Sequence, residues 1–391
     1  MATDPQLALV LTGGGARAAY QVGFLRYLAS RYPDLSPGIL TGVSAGGVLA
    51  AHLAARPGRF VDAVEKLDAL WRNLRMDDVF RVDPRELTVR TARWALRLVS
   101  GGAPGAPAAR SLVDTRPLHA FVARELEAAA DGTIPAIAAS LQAARLCAVA
   151  LTASSYTTGQ SVTWVQGSEG CGVRTWERPQ RKGIETTLRV DHVMASAALP
   201  LFFPAIDVDG AWYGDGGIRL TAPLSPAVHL GARRIMAVST RYARSRQEAD
   251  MPMVAGYPPP AQVVGVLLNA VFLDLLDNDA LRLDQINELL DHLPPQARDG
   301  LRHIDLLILR PSQDLGRLAN EYENDLPRTF RFLTRGLGSR ETRSNDMLSL
   351  LMFQPDYIAR LIELGETDAR ARASAVEAFL NPSADEKRRQ Q

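Results

Sequence analysis

Through the first two-thirds of the chain, short uninterrupted apolar runs alternate with longer stretches of helical spacing. Leu7-Ala8-Leu9-Val10-Leu11 has the length of a buried strand, and after Gly13-Gly14-Gly15 the spacing from Arg17 to Leu25 predicts a helix. The unit then recurs: Ile39-Leu40-Thr41 predicts a second buried strand, and the small-residue pattern Gly47-Val48-Leu49-Ala50-Ala51-His52-Leu53 a second helix. Strands and helices that alternate in this way are the signature of an α/β fold. Farther on, Phe203 to Val208 and Trp212 to Gly214 flank Asp209-Gly210, a pairing that predicts a hairpin. Beyond residue 260 the pattern changes: Gln262–Leu293, Leu315–Phe332, Glu341–Met352 and Pro355–Phe379 predict helices around a single strand, Ile304–Leu309. The stretch 241–260, rich in Arg and Pro, reads as a linker or mobile loop between a catalytic region at 7–240 and a mostly helical region at 261–383. A helical cap is expected at about 59–142, interrupted by the loop Gly101–Ala109, and a disordered tail at 384–391.

Chemistry enters at the turns. Gly42-Val43-Ser44-Ala45-Gly46 lies between a strand and a helix, the setting of a nucleophile elbow. Glycine is needed at both ends, Gly42 and Gly46, because side chains there would collide with the neighbouring strand and helix. The loop Gly13-Gly14-Gly15 opens another helix, and its bare N–H groups form an anion cradle to which Arg17 adds a positive charge. A nucleotide phosphate or a transient oxyanion would suit that cradle. The dinucleotide reading of Gly13-x-Gly15-x-x-Ala18 wants an acidic residue after the second strand, where this chain has Ser44 instead. Asp215, in Gly214-Asp215-Gly216-Gly217, follows the hairpin's second strand; taken alone, the dipeptide Asp215-Gly216 is one more turn.

The three motifs in this order, with Ala195-Ser196-Ala197-Ala198-Leu199-Pro200 and Pro223-Leu224-Ser225-Pro226-Ala227, resemble the patatin-like phospholipases over about residues 7–240. The resemblance implies a three-layer α/β/α fold with a mainly parallel central sheet, extended by the helical C-terminal region. It implies Ser44 as nucleophile, Asp215 as its partner in a Ser–Asp dyad, and Gly13, Gly14, Gly15 and Arg17 as the oxyanion region. Gly216 and Gly217 complete the aspartate loop. One departure is Ala18, which stands where the family usually has glycine. The activity implied is fatty acid release from phospholipid or lysophospholipid esters through an acyl-Ser44 intermediate, with no cofactor. A transacylase that uses the same acyl-serine, and an inactive lipid-binding scaffold, are the alternatives.

An exposed aspartate, with a pKa of about 3.9, is too weak a base for a serine hydroxyl. Burial has to raise it, and Trp212, Tyr213, Phe202 and Phe203 are the aromatic residues expected to supply the apolar setting. A Ser-His-Asp triad is the rival within the class. Among His52, His119, His192, His229, His292 and His303, the best placed is His303, ahead of the strand at 304–309, yet no glycine-rich turn holds it. Metal chemistry has no motif behind it: Asp77-Asp78 and the pair Asp207 and Asp209 read as turn or surface carboxylates.

The 391 residues, 47% hydrophobic, can bury a large core, which suits one enzyme domain with an appendage. A formal net charge of +1 argues against global steering toward nucleic acid. Arg85, Arg90, Arg93 and Arg97 interleave with apolar residues in a segment that would suit peripheral contact with a membrane; the competing reading packs it on the core with its arginines in solvent. Ala261–Leu276 is too short to span a bilayer and reads as a buried helix or an acyl-pocket lid. With no basic leader and two cysteines, Cys147 and Cys171, expected as reduced thiols, the chain reads as a cytoplasmic enzyme.

Overall fold

The computed structural model describes residues 3–81, 89, 92, 96, 99–100, 111–171, 173, 175–254, 256–272, 275–327, 330–331 and 344–382. The basic segment of Arg85, Arg90, Arg93 and Arg97, the loop 101–109 and the tail 384–391 lie outside them. Among the described residues one sheet is built from β1 (Asp4–Leu11), β2 (Pro37–Val43), β3 (Ala148–Ser155), β4 (Ser161–Gly167), β5 (Trp176–Arg178), β6 (Arg181–Glu185), β7 (Ile206–Val208), β8 (Ala211–Asp215), β9 (Arg234–Val238) and β10 (Asp305–Leu309). Its centre, in the order β10-β9-β1-β2-β3, is parallel. Antiparallel β4 extends one edge, and β7 and β8 form the expected hairpin, with β8 antiparallel to β3.

The uninterrupted apolar runs are explained by burial on both faces. Along β1, Leu9 and Leu11 enter one core cluster while Ala8 and Val10 enter another; along β3, Val149 and Leu151 part from Ala148 and Ala150 in the same way. On the first face lie α1 (Ala18–Arg31), α2 (Ala45–Ala54) and α3 (Phe60–Asn73), then α4 (Met76–Val79), α5 (Arg116–Glu125), α6 (Pro135–Gln142) and α7 (Val190–Ser196). On the second lie α8 (Ser225–His229) and, after the short α9 (Arg246–Ala249) and α10 (Pro260–Phe272), α11 (Leu275–Asp291). The fold is therefore a three-layer α/β/α arrangement.

The C-terminal region adds α12 (Leu315–Glu321), α13 (Asp346–Leu351), α14 (Pro355–Ala371) and α15 (Ala373–Leu380). It is helical around one strand, but it is no appendage, because that strand is β10 of the central sheet. Helix α14 crosses α1 at backbone contact: a β-carbon on Gly23 would come within 1.9 Å of the Ile362 carbonyl oxygen, and one on Gly365 within 2.0 Å of that of Tyr20. Reciprocal glycines allow that approach.

Two further expectations are corrected. Cys147 and Cys171 form a disulfide rather than two free thiols, which removes one ground for a cytoplasmic assignment. The β3–β4 hairpin joins them: it brings Gly167 opposite Ala148, and the Ser168 N–H donates to the Cys147 carbonyl. Two cysteines 24 residues apart carried no sign of this return path. Helix α10 is not buried, since Val263, Val266 and Leu267 are exposed along one face. No helix among the described residues is long and apolar enough to cross a membrane.

Candidate active site

At the C-terminal end of β2 the chain turns sharply into α2, and Ser44 sits at the corner with φ 56° and ψ −133°. A non-glycine residue there stores strain that the surrounding packing must hold in place. The glycines on either side behave as their positions require: a β-carbon on Gly46 would lie 2.2 Å from the Leu11 carbonyl oxygen, and one on Gly42 2.4 Å from that of Gly46. Ser44 is 7% exposed.

Strand β3 brings the aspartate to the serine. Its first part pairs with β2 as far as Thr152 opposite Val43, and its last part pairs with β8 from Ala153 opposite Asp215. Where β2 leaves the sheet at Val43, β8 takes its place on the same edge, so Ser44 and Asp215 meet end to end. Asp215 is fully buried, and burial pushes its carboxyl up to about 7 against the opposing pull of the Ser44 hydroxyl and the Gly217 N–H. Oδ1 accepts the Gly217 N–H at 2.9 Å, whereas the buried Oδ2 closes no bond of full hydrogen-bond geometry. The Ser44 hydroxyl thus acts on the carboxyl without completing a hydrogen bond, as is common before substrate binds.

The apolar setting of Asp215 differs from the expected one. Alternation along β8 puts Tyr213 and Asp215 inward, while Trp212 is turned out and 48% exposed. Phe203 lines the neighbouring cleft. Tyr156, from the end of β3, covers Gly214: a β-carbon there would lie 2.2 Å from its hydroxyl oxygen. Burial and the Asp215 charge both raise the Tyr156 phenol.

Gly13 packs against Ser44, since a β-carbon on it would stand 3.0 Å from Ser44 Cβ and 3.6 Å from Oγ. None of the Gly13, Gly14 and Gly15 N–H groups donates to another described residue. The loop is held from behind, with Thr240 Oγ1 donating to the Gly13 carbonyl at 2.8 Å and Gln21 Nε2 to that of Thr12 at 2.7 Å. Arg17 is held from the C-terminal region. Its guanidinium points into the C-terminal helices, bound to Asp346 at 2.6 Å and to Ser349 Oγ at 2.7 Å, and its charge is neutralised there. Ser196 is a supporting residue that sequence reading left within a family segment: its Oγ accepts the Ser44 N–H at 3.1 Å and donates to the Thr152 carbonyl at 2.7 Å.

Five of the six histidines make side-chain contacts elsewhere. His52 Nε2 contacts the Ala63 carbonyl at 3.1 Å, and burial lowers its pKa to about 4. His192 accepts the Arg189 N–H and packs edge-on against Trp164, His229 stacks on Trp176, His119 lies 3.3 Å from Asp191, and His303 the same distance from Asp305. Asp78 accepts the Arg75 N–H at the start of α4, and Asp207 accepts the Gly210 N–H within its turn. Among the described residues no cluster of His, Cys, Asp and Glu is arranged to hold a metal.

Ser44, Gly14 and Gly15 open onto a narrow cleft of ≈ 80 Å³ whose other walls are apolar: Val48, Trp71, Leu118, Leu199 and Phe203 among them, with Leu350, Leu351 and Phe353 from the C-terminal region. Such walls suit a hydrocarbon chain with a single reacting polar group at one end.

A family model described as patatin-like phospholipase matches residues 9–228. No curated protein sequence matches the chain. Among solved structures, human GIVD cytosolic phospholipase A2 is similar at 12% identity and a TM-score of 0.45, over 96% of this chain and 60% of its own. VipD from Legionella pneumophila is similar at 14% identity and a TM-score of 0.37, over 96% and 68%. The type III effector ExoU is similar at 14% identity and a TM-score of 0.38, over 96% and 54%. This chain thus spans about three-fifths of the human protein's length.

Proposed function

The chain belongs to the patatin-like phospholipase family, and from that premise we propose that it is a serine lipid acyl hydrolase of the phospholipase A or lysophospholipase type, working through a Ser44–Asp215 dyad. The observation that carries the reading is the fully buried carboxyl of Asp215, raised to about 7 and set on the β3 edge next to a strained Ser44. A base near the operating pH is half ionised and still strong enough to take a proton from a hydroxyl.

In the proposed reaction Ser44 Oγ attacks the ester carbonyl carbon as its proton passes to Asp215. The C=O π pair moves onto oxygen, and that oxyanion is met by the N–H groups of the Gly13-Gly14-Gly15 loop; one well-aimed donor is worth about 3–4 kcal/mol. Collapse breaks the ester C–O bond, and Asp215 returns the proton to the leaving alcohol. Water then attacks acyl-Ser44, giving its proton to Asp215, and the second collapse releases the fatty acid and returns that proton to Ser44. The apolar cleft holds the acyl chain throughout.

The test is fatty acid release from mixed phospholipid micelles by the wild type, Ser44→Ala and Asp215→Asn, with circular dichroism to confirm folding. Loss of at least about a hundredfold in both variants is expected. Equal release by Ser44→Ala and wild type would overturn the proposal. Transfer of the acyl group to an added lipid alcohol in preference to water would reassign the chain as a transacylase.

A further inference from the structure

The cleft at Ser44 and a second cavity of ≈ 470 Å³ share two wall residues, Leu70 and Phe121. Both follow the same helices. On and just beside α2, Ser44, Ala45 and Val48 face the first and His52 and Arg56 the second; on α3, Trp71 and the following Leu74 face the first, and Lys66, Ala69 and Asn73 the second. From α5, Leu118 faces the first, and Arg124 and Glu125 the second. Along α2 and α5 the lining therefore passes from apolar to polar or charged within a turn or two, while α3 turns one side to each cavity, with Leu70 and Phe121 between the two. Along α2, the eight residues from Ser44 to His52 correspond to about 12 Å.

The charges beyond the wall are anchored. Arg56 donates to Glu127 at 3.1 Å and to the Glu125 carbonyl at 2.7 Å, and the Arg124 guanidinium lies 5.3 Å from the centre of the Phe121 ring. A hydrocarbon chain bound to Ser44 gains from each methylene buried while its walls stay apolar, and past Phe121 the next methylene would have to displace water from those ions.

We propose that Leu70 and Phe121 form the end stop of the acyl site and set the length of the chain that Ser44 accepts. The inference rests on the acyl-hydrolase reading above. Shortening either residue joins the cleft to the second cavity, and enlarging Phe121 shortens the cleft.

The experiment is kcat/KM on p-nitrophenyl butyrate, octanoate, dodecanoate and palmitate for the wild type, Phe121→Ala, Phe121→Trp and Leu70→Ala, with Ser44→Ala as the blank. Phe121→Ala and Leu70→Ala should raise the long-to-short ratio by about tenfold, a shift of the size that one or two methylenes command in an apolar pocket. Phe121→Trp should move it the other way. A merely structural role would depress every ester alike, so opposite shifts from the two Phe121 variants separate the two, and Leu70→Ala tests the same wall should Phe121→Ala not fold. An unchanged length profile in all folded variants would overturn the inference while leaving the hydrolase reading intact. No Ser44-dependent release from any ester by the wild type would overturn the reading beneath it.

Discussion

Arg17 and Asp346, 329 residues apart in the sequence, meet at 2.6 Å with the arginine only 3% exposed. Asp346 Oδ2 also receives Asn269 Nδ2 at 2.6 Å, and Ser349, which takes the Arg17 Nε–H, is 2.6 Å from the Tyr357 hydroxyl. The glycine loop beside Ser44 is thereby fastened to helices beyond the stretch that the family model matches. Leu350, in the same helix, lies against Gly15 closely enough that a β-carbon there would be 2.2 Å from its carbonyl oxygen.

Removing one partner of a buried ion pair leaves the other unpaired in a poor solvent. Asp346→Ala should destabilise the protein by about 3 kcal/mol or more, while the double variant Arg17→Met/Asp346→Leu should recover most of the loss. Urea unfolding of the single and double variants measures both. Equal stability of wild type and Asp346→Ala would show that the pair does not hold the loop.

The rate should rise with pH through about 7. In the proposed mechanism Asp215 works in its ionised form, and its carboxyl is raised to about 7, so the acidic limb of kcat/KM on an uncharged ester should follow that titration. An inflection near 4 instead would mean that the base is exposed or is another group.

Stability should move in the opposite sense. The folded pKa of Asp215 is above its ordinary value of 3.8, so between about 4 and 7 the folded state holds a proton that the unfolded chain has lost, and stability falls as pH rises across that window. His52 and His192, both lowered to about 4, act the other way between 4 and 6.5. The difference between wild type and Asp215→Asn isolates the carboxyl: the variant should be more stable at pH 8 by on the order of 4 kcal/mol, a gain that shrinks toward pH 4. Thermal melts at the two pH values suffice, and a constant difference would refute the assignment.

Ser196 supports the elbow from below. Ser196→Ala leaves the Ser44 N–H and the Thr152 carbonyl buried without that partner, at a cost of about 1–3 kcal/mol. On the proposed mechanism a fall in kcat with KM little changed is expected, because the change moves Ser44 and leaves the apolar walls in place. A rise in KM alone would place Ser196 in substrate binding instead.

Reduction should cost stability without touching the site. The Cys147–Cys171 bond closes a loop of 24 residues' separation at the far ends of β3 and β4, worth ~3 kcal/mol by loop entropy. Cys147→Ser/Cys171→Ser should melt lower in oxidising buffer and match the reduced wild type, with esterase kcat unchanged. Equal melting of oxidised and reduced protein would show that the bond adds nothing.

Much of the central unit was legible because its signals are local. An apolar run, a glycine turn and a helix start occupy consecutive residues around Gly13–Gly15 and again around Ser44, and the steric demands on Gly42 and Gly46 come from the elbow itself. The hairpin at Asp209-Gly210 was legible for the same reason. The pairing of Arg17 was not legible because its partner, Asp346, belongs to a region with no motif of its own. The buried alternative for helix α10 failed because an apolar helix face reads alike whether it is covered or exposed.

Residue order alone carries the α/β class, the succession of turns and the residue types offered at each: a serine at a sharp strand-to-helix corner, bare glycine N–H groups and an aspartate after a hairpin. Which of them meet depends on how distant segments pack. The register of β3 ends one partner at Val43 and begins the next at Asp215, the β3–β4 return joins the cysteines, and the packing of α2, α3 and α5 divides an apolar cleft from a charged one. Local backbone preference acts over a few residues and is written in their order, whereas strand register and helix packing are contacts between distant segments that no single stretch of chain encodes.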